Sequence, residues 1–460
     1  MDQNALNASG HADDSGGGHS APVQLLRVLG LIFGLAVVVG GVVGAGILRA
    51  PGVVASALTS GPWILMAWAF GGVSAMLAAM PLVEAGASIP RAGGSYPIAG
   101  RAFGPTVGFV TGWLSWLQYV ASNAFISVVF GEFAHRLGLA PGVPNAVLAG
   151  GLILAVTAIN WIGTRVSGGS QSLGSAIKGG ALVLLVLVLF LAPHQPVGSP
   201  VAVAVSLAPV TSLGALIMAV RVIYSTYAGW DGAIFFSEEV ENPERNVARA
   251  TFWGIGLVTV LYVLINAAAL HVLTPHELAG STLAVGDAAK RVLGPISDQL
   301  ITLGSLISLA AIVNLQVMAA SRITFAMARD EILPKALAVV APGGSPRRSL
   351  LAVAVGSLAF AAIGHYEEIV RIYAPWSIGA ILMVCLSAIK LRISEPDLPR
   401  PWKMPLFPWI AIAASLVQAS LIAVMVLDYP LGGLCSALVV IAPLPYVFWR
   451  RRKLSGEGAR

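Results

Sequence analysis

Residues 37–52 read "VVVGGVVGAGILRAPG", with glycines at 40, 41, 44 and 46 and with Arg49 and Pro51 close behind. The run is apolar enough to lie in hydrocarbon, yet glycine weakens a helix through its conformational entropy. Two readings follow. Small residues let neighbouring membrane helices approach closely, which would make the run a packing face. Alternatively the helix is broken on purpose, and the backbone N–H and C=O groups freed at mid-depth need protein, water or a solute as partner.

The rest of the chain establishes the setting. Of its 460 residues, 57% are apolar and 10% charged, where about a quarter of a soluble domain is charged. Hydrocarbon about 30 Å thick needs roughly 20 apolar residues per helical crossing, and the sequence offers about twelve such segments. They lie near 24–56, 62–88, 105–135, 146–163, 169–192, 212–236, 249–272, 298–327, 349–364, 369–391, 408–427 and 431–449. These are too long and too uniformly apolar for barrel strands of about ten alternating residues. The class is an all-α membrane protein, with the lipid bilayer as its first partner.

The formal charge of +6 raises the question of a nucleic-acid partner. With the N-terminus in the cytoplasm and strict alternation, only Arg136, Lys290, Arg291 and Arg371 fall outside, and Arg49, Lys178 and Arg221 fall within spans. The remaining Lys and Arg lie inside. That bias is the positive-inside rule and predicts both termini on the inner side of a plasma membrane. The closing "RRRK" at 450–453 reads as an inner-leaflet anchor, not a nucleic-acid patch. Residues 1–21, "MDQNALNASGHADDSGGGHSA", have no apolar stretch and read as a disordered tail instead of a signal peptide. His11 and His19 in that tail could bind a metal but read as solvated side chains, and His135, His194, His271, His276 and His365 elsewhere show no metal-ligand spacing. Cys385 and Cys435 lie in apolar segments and imply no disulfide framework. No cofactor is indicated.

A second segment tips the balance on the opening run. In "VIYSTYAGWDGAIFF", residues 222–236, glycines again interrupt a span, at 229 and 232, beside Trp230 and Asp231. Two interrupted spans five crossings apart suggest a five-plus-five inverted repeat whose broken helices meet at mid-membrane to form a substrate site. A free amino acid suits such a site. Its carboxylate can take N–H groups at a half-helix N-terminus, and its ammonium can donate to bared carbonyls.

Further motifs give these features a family context: "GAGILRAP" (44–51), "PLVEAGASIPRAGGSYPIAGRAFGPTVGF" (81–109), "SEEVENPERNVARA" (237–250), "SRITFAMARDEILP" (321–334) and "EPDLPRPWKMPLFPW" (395–409). In these residues the chain, from about 24 to 450, resembles the amino acid–polyamine–organocation superfamily, closest to its L-type and bacterial amino acid exchangers. The resemblance implies the leucine-transporter fold: twelve transmembrane helices, an inverted repeat of 22–192 and 193–391, two further helices in 392–449, a basic tail at 450–460, and discontinuous helices 1 and 6. It also implies alternating access and small amines or amino acids as substrates.

Carried over by position, the resemblance puts the substrate carboxylate at the backbone of Ala45 and Gly46 and the ammonium near carbonyls of Val42, Ser225 and Ala228. Gln118, Asn123 and Gln316 match positions that look toward the substrate side chain, though each could equally be an interhelical hydrogen bond worth about 0.6 kcal/mol. Two departures stand out. Ser225 occupies a place where relatives often carry an aromatic lid, which leaves Tyr224 or Tyr227 as the gate, or a wider pocket. Asp231 stands where L-type relatives have asparagine and arginine exchangers an acid, so the charge class of the substrate stays open.

The charges within spans carry expectations of their own. Lys178 lies roughly 13 Å beyond the expected inner end of the fifth crossing at 1.5 Å per residue. It either snorkels to the headgroups or, at a cost of about 3 kcal/mol near the midplane, faces the bundle interior. Sodium-independent relatives place such a lysine, after a glutamine, where sodium-driven ones hold a cation. Lys178 thus becomes the coupling residue, as a fixed charge or as an exchanger of protons. Asp231 can bind a cationic group, carry a proton, or pair with a base near the inner gate. Arg49 and Arg221 line the outer halves of the broken helices. Glu238 or Glu239 with Arg322 forms a candidate inner gate, with Arg329 nearby and Glu84 as an outlying candidate; the alternative is solvated surface.

Other classes of function fit less well. No HExxH motif or nucleophile–base pairing suggests an enzyme, and "GVVGAG" lacks the strand, helix and distant acid of a dinucleotide loop. A channel remains a rival, since broken helices also line pores. Nothing marks an accessory subunit or an oligomeric state. The expected function is amino acid transport by exchange or by symport with protons, with polyamines or other organic amines as the alternative cargo.

Overall fold

The computed structural model describes residues 25–44, 46–192, 212–281, 283–363 and 366–457. The tail at 1–21, Ala45, His194 and His365 lie outside the described residues. The described chain is helical throughout, and its one extended pairing is a parallel bridge between Leu29 and Val240.

The helices are α1 (Leu31–Val42), α2 (Gly46–Ala57), α3 (Gly61–Ser88), α4 (Ser95–Phe103), α5 (Pro105–Arg136), α6 (Asn145–Ile162) and α7 (Thr164–Leu191). Then come α8 (Leu213–Thr226), a 3-10 helix (Trp230–Phe236), α9 (Pro243–Val272), α10 (Pro275–Ala279), α11 (Ala284–Leu293) and α12 (Ile296–Arg329). The chain ends with a 3-10 turn (Lys335–Ala338), α13 (Arg347–Ile363), α14 (Tyr366–Ser394), α15 (Trp409–Asp428), α16 (Pro430–Ile441) and α17 (Leu444–Glu457). Among the described residues nine helices are long and apolar enough to cross a bilayer, and α1 with α2, which meet at 50°, make a tenth. The 17-residue α13 falls just short. So does the sixth predicted crossing, because it is divided into α8 and the 3-10 helix.

Large apolar side chains face outward in quantity, among them Trp63, Phe70, Leu184, Ile217, Trp253 and Leu416. In water such a surface would drive association; in lipid it costs nothing. Inside, α3 runs along α9, α5 along α12 and α6 along α13, while α1 packs on α9 and on the 3-10 helix. The end of the bundle that carries Leu25 is termed proximal here, and the opposite end distal.

Two sequence expectations shift. The fifth crossing begins at Thr164, upstream of 169, so Lys178 lies deeper in the bundle than the estimated depth. Glu84 pairs elsewhere than with the candidate gate residues Arg322 and Arg329. Its carboxylate is clasped by Arg392 at 2.7 and 2.6 Å, approached by Arg400 at 3.5 Å, and accepts the Met404 N–H. That clasp folds the "EPDLPRPWKMP" segment onto the end of α3, which accounts for the motif structurally.

Candidate functional site

Both glycine-interrupted spans are broken, and the breaks touch. Helix α1 ends at Val42 and α2 begins at Gly46. Helix α8 ends at Thr226, and Gly229, at φ +104°, turns the chain into the 3-10 helix. A β-carbon on Gly41 would stand 2.4 Å from the Gly229 carbonyl oxygen, and one on Gly229 would stand 2.6 Å from that of Gly41. Glycine is required at both places because two main chains meet there. Gly40 is likewise packed, against Ser175 and Gln171. Gly44 and Gly46 differ: a β-carbon there would meet only Ile312 at 3.4 Å or Thr226 at 3.7 Å. Both readings of the opening run hold, each for its own half.

The backbone bared by the breaks is partly satisfied from within. Tyr262 on α9 directs its hydroxyl to the Val42 carbonyl at 2.9 Å and the Thr226 carbonyl at 3.2 Å, bridging the two breaks. Lys178 is 4% exposed and turns inward, which rules out snorkelling. Its ammonium donates to the Gly40 carbonyl and, at 2.8 Å, to that of Val43. Those carbonyls end α1, where the helix dipole is negative, so a fixed cation is well placed. Ser308 reaches the same Val43 oxygen at 3.3 Å. A buried chain of side chains supports this corner: Asn160 donates to Asn314, Asn314 to Gln171, Gln171 to Ser175, and Ser175 to the Ala36 carbonyl.

The remaining expected binding residues divide. Gly46, Ser225 and Ala228 are exposed around the meeting point of the breaks, and Asp231 is partly exposed beside it. The Ser225 carbonyl accepts the Ala228 N–H at 3.3 Å, and the Val42 carbonyl is engaged by Tyr262, so neither is wholly free for an ammonium. Gln118 is half-buried, whereas Asn123 is fully buried and donates to Ser357 of α13 at 3.5 Å. Five residues of helix turn through about 140° beyond one full circle, so the two cannot share a face. Asn123 makes this interhelical bond with its amide, while its carbonyl oxygen is buried without a partner. Gln316 donates to Ser122 at 3.1 Å, tying α12 to α5, while its carbonyl oxygen is buried without a partner.

Tyr227 is 2% exposed, donates to the Trp68 carbonyl at 2.8 Å and packs on Trp68 and Tyr262. Tyr224 donates to Gln418 of α15 at 2.8 Å. Tyr227 thus lies against Tyr262 at the break, Tyr224 is held by α15, and Ser225 between them is exposed. Asp231 is in no ion pair among the described residues, and the bases near the inner gate, Arg322 and Arg329, pair with Glu239 and Glu238 instead. Arg49 is exposed and Arg221 half-buried, on the faces of α2 and α8 that lead distally from the break.

The proximal end is closed by charge. Arg322 and Glu239, with side chains 1% and 0% exposed, form a two-pronged ion pair at 2.9 Å on both oxygens. Thr164 joins them at 3.2 and 3.3 Å, and Phe236 lies under the guanidinium. The backbone of Glu239 also holds the strand before α1, accepting Val28 N–H and Leu29 N–H at 3.1 and 3.0 Å. Glu238, expected opposite Arg322, pairs instead with Arg329 at 2.7 Å and accepts the Ala92 N–H at 2.9 Å. Burial pushes the Glu238 carboxyl up, but these bonds outweigh it and hold the group below the usual carboxylate range. Arg91, Tyr96 and Asp330 form a further cluster at this end. No group of metal-binding side chains occurs among the described residues.

Tyr262 and the Asn160–Asn314 pair were not singled out from the sequence. Their signal is a lone polar group inside an otherwise apolar helix, as in "GLVTVLYVLINAAAL" (256–270), since such a group must find a bond in lipid.

Comparison with known proteins agrees with this architecture. The amino acid permease family profile matches residues 26–437. The mouse b(0,+)-type amino acid transporter 1 is 29% identical, over 91% of this chain and 87% of its own. The serine/threonine exchanger SteT of Bacillus subtilis (strain 168) is 28% identical, over 97% of this chain and 100% of its own. The mouse Asc-type amino acid transporter 1 is 25% identical, over 94% and 83%.

Proposed function

Because the chain belongs to the amino acid permease family, we propose that it moves amino acids across the plasma membrane by alternating access, as a sodium-independent exchanger or a proton symporter. General amino acid transport follows from the family and from relatives that are amino acid transporters and exchangers. The direct support for the mechanism is the pairing of two broken helices with exposed ends at mid-depth and a proximal end shut by the buried Arg322–Glu239 pair.

In this reading the proximal end is cytoplasmic, as the positive-inside bias expects. Twelve crossings result when α8 with its 3-10 helix and α13 are counted. Packing of α3 on α9, α5 on α12 and α6 on α13 supports the five-plus-five repeat. The substrate carboxylate takes N–H groups at the start of α2, around Ala45 and Gly46, where the helix dipole is positive. The ammonium lies toward carbonyls at the end of α8. Lys178 supplies the positive charge at the end of α1 that a sodium ion would otherwise supply. Arg322 and Glu239 part when the cytoplasmic side opens. A through-pore channel fits poorly, because that buried pair closes the bundle proximal to the breaks.

Asp231 favours a second reading of the cargo. An unpaired acid directly after the break suits a cationic amino acid or a polyamine. A competition panel of neutral, cationic and acidic amino acids and polyamines, run in proteoliposomes with imposed pH and sodium gradients, tests both. Neutral amino acids should compete without sodium. Asp231→Asn should change the rank of cationic competitors or the pH response; an unchanged profile and pH curve removes the role of Asp231.

A further inference from the structure

At the proximal end, where α7 begins beside the strand that leads into α1, lies a polar cavity of about 300 Å³. Arg27 lines it from that strand, Arg165 from the first turn of α7, and Glu241 from the segment after the 3-10 helix. These charges have opposite signs, yet among the described residues none of the three side chains is in an ion pair or a hydrogen bond. Glu241 is held by its main chain, through its N–H to the Leu29 carbonyl at 2.9 Å. Its carboxylate lies over Gly30, 3.9 Å from where a β-carbon on that glycine would stand. On α7, Arg165, Gly169 and Ser172 share one side at helical spacing. A β-carbon on Gly169 would meet nothing within 4 Å, so that wall is open space.

The place of the cavity along the helices matters as much as its charge. Lipid-facing apolar side chains begin directly distal to it: Ile32 in the first turn of α1 is 77% exposed and Leu173 on α7 is 63% exposed. Leu173 follows Arg165 by two turns of helix, about 12 Å at 1.5 Å per residue. Basic groups at headgroup level above aliphatic ones in hydrocarbon match the outline of a phospholipid. We propose that the cavity holds the headgroup of a phosphatidylethanolamine of the proximal leaflet, with the phosphodiester between Arg27 and Arg165 and the ammonium on Glu241. Guanidinium groups bind phosphate oxygens through paired N–H donors, and a carboxylate bonds best to a charged donor. Phosphatidylglycerol brings the same phosphate but only neutral hydroxyls to Glu241, and the quaternary nitrogen of phosphatidylcholine has no N–H to give. Bound there, the lipid links α7 to the strand and turn that carry the Leu29–Val240 bridge beside the buried ion pair.

The test uses the full-length protein, stripped of lipid in detergent and titrated with each of the three phospholipids, with binding read by native mass spectrometry. One phosphatidylethanolamine should bind at least about fivefold more tightly than either of the others. Arg27→Gln/Arg165→Gln should weaken that binding more than about tenfold, the size of a lost charge-assisted contact. Gly169→Leu, which fills the cavity from open space, should weaken it in the same way. Glu241→Gln should abolish the preference for ethanolamine while leaving phosphatidylglycerol binding within about twofold. All four positions are exposed, so the lipid-free variants should melt as the wild type does, which separates loss of the site from loss of the fold. Equal affinity for the three lipids, or a preference that survives Arg27→Gln/Arg165→Gln, overturns the site. A preference that survives Glu241→Gln overturns the ammonium contact and the choice of ethanolamine with it. Glycerophosphoethanolamine, which has no tails, binding as tightly as the lipid would assign the cavity to a soluble phosphodiester and overturn the lipid. None of these readouts depends on the cargo that the protein carries.

Discussion

The two ends of the broken helices are built in opposite ways. Proximally, α1 and the 3-10 helix are fastened by a dry ion pair, a backbone bridge and two further acid–base pairs. Distally, α2 and α8 lead away from the break with an exposed glycine, an exposed serine and two arginines, Arg49 and Arg221, outside any ion pair among the described residues. A buried ion pair is weak as a source of stability, because desolvation offsets most of its attraction, but it is unforgiving when one partner is removed. Such a pair suits a latch that is either fully made or fully hydrated. Among the described residues the distal ion pairs, Arg136–Asp298 and Arg291–Glu277, are exposed, so no dry pair of this kind is found there.

The largest effect is expected at the latch. Arg322→Ala leaves Glu239 buried without a counter-charge, a loss of about 3–5 kcal/mol. It should lower the melting temperature in detergent and abolish transport. The double variant Glu239→Ala/Arg322→Ala should recover part of that stability; additive losses would show that the two charges do not act as a unit. Next in size is the meeting of main chains. Gly229→Ala places a β-carbon 2.6 Å from the Gly41 oxygen at a φ of +104°, and overpacking of this kind costs about 1–3 kcal/mol. Transport should fail while the protein still reaches the membrane, and normal uptake would mean that the two breaks move apart freely.

Lys178→Ala acts on the open half. It strips the Gly40 and Val43 carbonyls of their donor, and sodium-free exchange in vesicles should drop more than tenfold, equivalent to about 1.4 kcal/mol or more. Wild-type rates would remove the coupling role. The smallest effect belongs to the distal surface pair of Glu277 and Arg291, both side chains 40% exposed. The Arg291 guanidinium, with the Thr274 N–H, holds the Glu277 carboxyl down at about 2. A depressed acid stabilises the fold above its unfolded value near 4.5 and loses that contribution as pH falls toward 2. Arg291→Ala should therefore shift melting only slightly, by at most about 1 kcal/mol, and equally at pH 6 and pH 8. A strong change between those values would contradict the assignment.

The halves also differ in how far the sequence disclosed them. The breaks were legible because glycine runs in apolar spans are conspicuous, and Lys178 because a charge at mid-depth requires a destination. The latch was legible as acids near bases, but not its pairing: adjacent residues Glu238 and Glu239 point to different neighbours, and only the tertiary turn after Phe236 decides which meets Arg322. Gln118 and Asn123 lie on different faces of α5, a difference of helical phase that a position-by-position resemblance does not show. The rings of Tyr224 and Tyr227 are held by Gln418 and the Trp68 carbonyl, partners far away in the chain that no local pattern reveals. The contact of Gly41 with Gly229 is equally remote in sequence, and no local pattern announces it.

The claim on which these points converge is that the proximal latch must open for transport while the proposed substrate site at the breaks is reached from the distal side. A disulfide between cysteines at Leu29 and Val240, the two bridged residues, formed in a Cys385→Ser/Cys435→Ser background, would lock that end shut. Binding of radiolabelled amino acids to the cross-linked protein should persist while counterflow in proteoliposomes stops and returns on reduction. Counterflow at the wild-type rate with the cross-link intact would contradict the account.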